Sequence, residues 1–300
     1  MIFVLLEKIE DLKKSHRAVV LAHNYQNLEI LDVADFVGDS IELARKAIKA
    51  DAEMIVVCGV HFMAESAKIL NPQKKVFLAN KEAGCPMADM CTAEDILKKK
   101  KVYPRAKVVS YVNTSAEVKA ESDICCTSAN AIEAVKSILE EEIIFAPDLN
   151  LASYVSENTD KKVIPVEGYC YVHNYISLEK LQLLKEKFPE AETLVHPECP
   201  SEIRKEGDLV CSTSGMIKRS EESDLNEFII VTESGLSDLL KIKFPNKSFH
   251  TPVGECADMK KTRLEDVLDT LEGKNNEIII PEDVLKRARH SLDRMLLVKT

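Results

Sequence analysis

Three cysteines recur along the chain at nearly constant spacing, and each follows a β-branched run and a glycine-containing turn. They are Cys85 in KKVFLANKEAGC, Cys170 in KKVIPVEGYC and Cys256 in NKSFHTPVGEC. Cys170 has no neighbouring cysteine at the spacing of a zinc motif. A single free cysteine is usually a small buried residue, so it is the match between the three positions that suggests chemistry.

Three thiolates brought to one point would form an incomplete metal-ligand set. Three sulfur ligands without a fourth suit an iron–sulfur cluster or a metal ion with an open position, as a Lewis acid requires. A structural zinc ion would normally be closed by a fourth cysteine or histidine. We therefore expect Cys85, Cys170 and Cys256 to hold a metal centre that leaves room for a substrate.

Two other sets of residues keep the register of the cysteines. One set lies where predicted strands end, and the other consists of hydroxyl residues that open predicted helices, where the helix dipole and free N–H groups favour anions. Taken singly, each hydroxyl residue could simply be an N-cap. Their convergence would instead favour a small substrate that carries carboxylates or phosphate. The sets are His23, Tyr111 and His196, and Ser40, Ser128 and Thr213.

Further polar side chains flank the strand ends. HNYQ contributes Tyr25, YVNTSAE contributes Asn113 and HPECPSE contributes Glu198. Histidine, tyrosine and glutamate together supply proton donors and acceptors for elimination or tautomerisation beside a Lewis acid.

The elements that must position these residues repeat three times. Short β-branched runs such as AVVLAHN and MIVVCGV alternate with helical-period segments such as SIELARKAIKA, which predicts α/β units with parallel strands. No linker rich in proline, glycine or serine separates the repeats, so we expect one body around a pseudo-threefold axis, with the strand ends facing that axis. The predicted units are residues 1–85, 86–170 and 171–256, followed by a C-terminal helical segment, 257–300, that packs on them.

The remaining cysteines lack a threefold match, and we expect them to be structural rather than ligands. Cys126 and Cys211 correspond to each other, but the first unit has Gly38 at that position. The expected non-ligands are Cys58, Cys91, Cys125, Cys126, Cys199 and Cys211.

Composition narrows the class of protein. The net charge of −10 arises from interleaved acidic and basic residues, so nucleic-acid binding is not expected. No apolar run approaches the roughly 18 residues of a membrane span. The N-terminal sequence does not look like a signal peptide, and the chain contains nine cysteines. Together these features suggest a reducing cytoplasm.

Several motifs together closely resemble the quinolinate synthase A family, the iron–sulfur quinolinate synthases of de novo NAD biosynthesis. They run from about residue 17 to residue 300 and include LAHNYQ, CGVHFMAES, AGCPMADMC, HPEC, STSGM and GECADMKKTRLE. The resemblance implies three Rossmann-like α/β/α domains and a [4Fe-4S] cluster held by Cys85, Cys170 and Cys256, with one iron left open for substrate. It also implies condensation of iminoaspartate with dihydroxyacetone phosphate to quinolinate, phosphate and water. L-aspartate oxidase would deliver the imine and is a candidate transient partner.

The resemblance also assigns roles in the site. Tyr25 and Glu198 would move protons during isomerisation and dehydration, and His196 would hold substrate as the third catalytic residue. The implied substrate pocket consists of His23, Ser40, Tyr111, Asn113, Ser128, His173, His196, Glu198 and Thr213.

Two alternatives stay open at this point. One is a different hydro-lyase that uses an open-iron [4Fe-4S] cluster on another hydroxy acid. The other is a zinc-stabilised scaffold of three units that binds a protein partner. The metal content of anaerobically purified protein separates the cluster from zinc.

Overall fold

The computed structural model describes residues 2–274 and 277–298. Within them, the first unit comprises α1 (Ile2–Ser15), β1 (Ala18–His23), α2 (Leu28–Leu31), β2 (Phe36–Gly38), α3 (Ser40–Lys49), β3 (Met54–Cys58), α4 (His61–Leu70) and β4 (Lys75–Leu78). Its strands form a parallel four-stranded sheet in the order β2–β1–β3–β4. Helices alternate with these strands, as the periodicity of the sequence predicts.

The second unit comprises α5 (Pro86–Asp89), α6 (Ala93–Val102), β5 (Lys107–Tyr111), α7 (Ala116–Ala120), β6 (Ile124–Cys126), α8 (Ala131–Lys136), β7 (Glu142–Ala146), α9 (Leu149–Glu157) and β8 (Lys162–Pro165). The third comprises α10 (Tyr171–Asn174), α11 (Leu178–Lys187), β9 (Glu192–Val195), α12 (Ser201–Arg204), β10 (Leu209–Val210), α13 (Thr213–Glu222), β11 (Glu227–Val231), α14 (Ser234–Lys243) and β12 (Ser248–His250). The second and third sheets are also parallel and repeat the strand order of the first, as β6–β5–β7–β8 and β10–β9–β11–β12.

The predicted fold class, three similar Rossmann-like α/β units, is thereby confirmed. The unit boundaries stay a prediction, and they fall after the last strand of each sheet. Among the described residues, no helix combines the length and apolar character that crossing a membrane would require.

One carboxylate contact recurs in all three units and explains part of their likeness. An aspartate just before the outer strand of each sheet accepts a hydrogen bond from a backbone N–H near the start of the neighbouring strand. The contact fixes the register of the two strands where each sheet begins. The N–O distances are 2.7 Å for Val20 to Asp35, 2.8 Å for Val108 to Asp123 and 2.8 Å for Thr193 to Asp208.

The C-terminal segment packs on the first two units. A 3₁₀ turn (Met259–Lys261) precedes α15 (Leu264–Leu271), which lies against α1 and β3. The last helix, α16 (Glu282–Leu297), lies against α4 of the first unit and against α7 and β6 of the second. Its apolar face is formed by Ala288, Leu292 and Met295, all fully buried, so α16 joins the cores of both units.

Replacement of Leu292 tests this junction. Leu292→Ala leaves a cavity between the two units, and we expect the free energy of unfolding to fall by about 2–5 kcal/mol. Leu297→Ala is the matched control, because Leu297 lies on the same helix but is 83% exposed. Its change should stay within about 0.5 kcal/mol. Chemical denaturation measures both free energies of unfolding. Equal decreases in the two variants would contradict the role of Leu292 in joining the two units.

Candidate active site

A cavity of about 80 Å³ lies where the carboxyl edges of the three sheets meet. Every residue that the sequence analysis assigned to the site lines it, and all three units contribute. From the first unit come His23, Tyr25, Ser40 and Cys85; from the second, Tyr111, Asn113, Ser128 and Cys170; and from the third, His173, His196, Glu198, Thr213 and Cys256.

Topology explains why these residues meet. Cys85, Cys170 and Cys256 each follow the last strand of a sheet, after β4, β8 and β12. His23 and Tyr111 end the first strands of their sheets, and His196 follows β9 directly. In a parallel sheet all carboxyl ends lie at the same edge, so each unit presents its loops to the shared cavity.

The hydroxyl residues at the helix starts are not the N-caps. Asp39 caps α3, since its Oδ1 accepts hydrogen bonds from the N–H groups of Ile41 and Glu42. Ser212 caps α13. Ser40 and Thr213 are therefore the first helical residues, and their side chains line the cavity instead of closing the helix.

Ser128 lies in the turn before α8, and its side chain also lines the cavity. The neighbouring turn is closed by Asn130, whose Oδ1 accepts a hydrogen bond from the N–H of Thr127 at 2.8 Å.

The three predicted ligand cysteines are free and partly buried. Burial raises the pKa of Cys85 to about 12 and also raises the pKa of Cys170 and of Cys256. The groups are close enough for charge on Cys256 to raise the pKa of Cys85, and for charge on Cys85 to raise that of Cys170. Such thiols ionise when a cation binds them, so this donor set fits a metal centre.

The other cysteines pack into hydrophobic clusters, and none is among the described residues that line the cavity. This placement agrees with the structural role expected for them. They are Cys58, Cys91, Cys125, Cys126, Cys199 and Cys211.

Glu198 is one of the buried acids that line the cavity. Burial alone would raise its pKa, but the His173 and His196 rings and the Tyr111 hydroxyl outweigh burial and lower it, so the carboxylate is ionised. His173 Nδ1 lies 2.8 Å from Glu198 Oε2, although the two atoms are not aligned as a hydrogen bond. Donor atoms of Cys170, His173 and Glu198 all lie within 4.8 Å of one another, a spacing that also fits a metal ion.

Two histidines and two tyrosines of the cavity are neutral at neutral pH. Burial lowers the pKa of His23 to about 4 and that of His196 to about 3. Burial raises the pKa of Tyr25 and Tyr111 well above the usual value. At neutral pH the two imidazoles can therefore donate or accept a hydrogen bond, and both phenols keep their protons.

Sequence analysis did not identify Thr232, which connects two of the predicted site residues. Its hydroxyl lies 2.6 Å from the Tyr25 hydroxyl and 2.8 Å from His173 Nε2, and the side chain is fully buried. The repeat gives no signal for it, because the matching positions are Gly59 and Pro147.

The segment after Cys256 holds the loop that carries His23 and Tyr25. Lys260 Nζ donates to the Tyr25 carbonyl oxygen at 2.8 Å, and Gln26 Nε2 donates to the Met259 carbonyl oxygen at 2.9 Å. The first unit's contribution to the cavity is thus fixed by the start of the C-terminal segment.

Comparison with known proteins agrees with this geometry. The family model described as quinolinate synthetase A protein matches residues 7–297. Quinolinate synthase 2 of Methanosarcina acetivorans is 49% identical over 98% of this chain and 96% of its own length. Quinolinate synthases of Pyrococcus furiosus and Alkaliphilus metalliredigens are 47% and 46% identical, over 97% and 98% of both chains. The chain therefore belongs to the quinolinate synthetase A family, which is a family of enzymes.

Proposed function

We propose that this protein is a quinolinate synthase that condenses iminoaspartate with dihydroxyacetone phosphate to form quinolinate, phosphate and water. One observation carries the proposal: the residues that the resemblance implies, drawn from three units, line a single cavity. L-aspartate oxidase would supply the imine, and a reducing cytoplasm would keep the nine free cysteines unpaired.

Cys85, Cys170 and Cys256 would hold a [4Fe-4S] cluster. When bound, it supplies an open Lewis-acidic iron for a substrate oxygen. The fit rests on the donor set, which offers one thiol from the end of each sheet and no closing fourth cysteine among the described lining residues.

Hydroxyl, amide and imidazole groups would bind the anionic parts of the substrates. Ser40 and Thr213 lie at helix N-termini, and Asn113 and Ser128 extend the polar wall in the second unit. Neutral His196 can donate a hydrogen bond to a substrate oxygen without adding a charge.

Proton transfer would involve Glu198 and Tyr25. The ionised carboxylate can accept a proton from substrate carbon or nitrogen, and the protonated Tyr25 hydroxyl can give one to a leaving oxygen. Thr232 and His173 lie between these two groups, so they would return a proton from Glu198 to the Tyr25 oxygen once His173 Nδ1 turns into line with Glu198 Oε2.

An anaerobic assay with both substrates tests the proposal. We expect quinolinate to form only when iminoaspartate and dihydroxyacetone phosphate are both present. The purified protein should be brown and carry about four iron and four sulfide ions per chain. A colourless protein with one zinc ion would contradict the cluster and favour a scaffold, and a brown protein that forms no quinolinate would favour a different hydro-lyase.

Cysteine replacements test the ligand assignment. Cys170→Ser should abolish the visible absorption of the cluster and the activity together. Cys91→Ala is the control, because Cys91 lies close to Cys85 in sequence but is buried in a separate apolar cluster. This variant should keep its iron content. A full cluster in Cys170→Ser, measured by iron analysis, would refute the assignment.

Thr232→Val tests the connection between Tyr25 and His173. The change leaves the Tyr25 hydroxyl and His173 Nε2 without their shared hydrogen-bond partner. A lost buried hydrogen bond costs about 1–3 kcal/mol, and if the transition state bears this cost, kcat should fall about tenfold or more. KM should change little, because Thr232 is not among the described residues lining the cavity. Thr232→Ser keeps the hydroxyl and should restore kcat.

Thr193→Val provides the matched control. Thr193 is fully buried in the same unit, and its hydroxyl has no hydrogen-bond partner among the described residues. Its kcat should equal that of the wild type. Equal losses of kcat in Thr232→Val and Thr232→Ser would show that the Thr232 hydroxyl is not required for the reaction.

A further inference from the structure

We propose that Asp148 and Glu233 are positioning residues that hold two of the three ligand cysteines. Each carboxylate binds the backbone N–H of the cysteine in its own part of the repeat. The inference rests on the proposed function, because that function makes these cysteines cluster ligands. The hydrogen bonds themselves are present in the chain without a cluster.

Asp148 divides its two oxygens between two tasks. Oδ1 accepts a hydrogen bond from Leu151 N at 2.6 Å and so caps α9. Oδ2 accepts from Cys170 N at 3.0 Å. The side chain is fully buried, so water cannot replace either contact.

Glu233 repeats this division in the third unit. Oε2 accepts from Gly235 N at 2.7 Å, at the start of α14, and Oε1 accepts from Cys256 N at 2.9 Å. Glu233 is also fully buried, and Lys260 Nζ lies 3.8 Å from Oε1.

The first unit lacks this carboxylate contact. Val60 occupies the position that matches Asp148 and Glu233, and no carboxylate in the described chain accepts a hydrogen bond from Cys85 N. All three units nevertheless share a backbone hydrogen bond between the helix start and the cysteine loop. The carboxylates therefore add a second attachment in two units only. The shared N–O pairs are His61 to Ala83 at 3.0 Å, Leu149 to Gly168 at 2.8 Å and Ser234 to Gly254 at 3.3 Å.

Helix capping alone does not explain these acids. Thr92 and Ser177 cap α6 and α11 with a single hydroxyl each, whereas a buried carboxylate carries a desolvation cost. The second oxygen is what a hydroxyl cannot supply. It fixes the orientation of the cysteine loop through a contact that the helix cap does not use.

Amide hydrogen exchange in the metal-free protein tests the contacts. Asp148→Asn and Glu233→Gln each leave one acceptor oxygen for two N–H groups. We expect the amides of Cys170 and Cys256 to lose protection, each only in its own variant. Asp208→Asn is the control, because it removes a carboxylate contact to Thr193 N away from the cysteines. Unchanged protection in both variants would overturn the proposal.

Cluster properties test the role. We expect loss of the visible absorption in air to be about tenfold faster in both variants, in line with other contacts that support metal ligands. Asp148→Ser is a second variant, since serine still caps the helix but cannot bind both N–H groups. A wild-type cluster lifetime despite lost amide protection would overturn the role. A wild-type chain that assembles no cluster would overturn the proposed function, while the exchange result would still decide whether the carboxylates hold the loops.

Discussion

The site depends on how the carboxyl edges of three sheets are held against one another, because no unit contains a complete set of functional groups. Polar contacts between units maintain this junction. Ser214 Oγ donates to Asp39 Oδ2 at 2.6 Å, between the third and first units, and Ala116 N donates to Glu65 Oε2 at 3.1 Å, between the second and first. Arg204, buried in the third unit, donates to the carbonyl oxygen of Asn150 in the second at 3.2 Å. A shift at any of these contacts would separate residues that work together.

The electrostatics of the cavity follow from this burial. No lysine or arginine is among the described residues that line it, although the substrates proposed for it are anions. Lys260 lies beside the cavity, but its Nζ donates to the Tyr25 carbonyl oxygen at 2.8 Å and lies 3.8 Å from Glu233 Oε1. Negative charge on a substrate would therefore meet hydroxyls, neutral imidazoles, helix N-termini and the proposed metal centre. Such a site would select among substrates by the positions of their oxygen atoms more than by their net charge, since each hydrogen-bond donor has a fixed direction.

Much of this arrangement could be predicted because the repeat is visible in the sequence. The spacing of the cysteines identified residues that share a cavity although they are far apart in the chain. The alternative that Ser40 and Thr213 are only N-caps does not hold, because Asp39 and Ser212 cap those helices one residue earlier. Thr232 could not be predicted, since its hydroxyl acts across units on partners that spacing does not reveal.

Asp148 and Glu233 were missed for a different reason. Asp148 and Glu233 match each other in the repeat, but the first unit has Val60 at that position. The pair therefore lacks the threefold match that marks the ligand cysteines. The incomplete triplets are nevertheless where the units differ in chemistry. A reaction on an asymmetric substrate needs an asymmetric site, so a repeat built from equivalent units must depart from its own symmetry to become catalytic. The departures here are concentrated at the third unit, in His173, Glu198, Thr232 and Glu233. In the proposed mechanism, the shared residues would build the common centre, and the unshared ones would determine on which side of it protons are transferred.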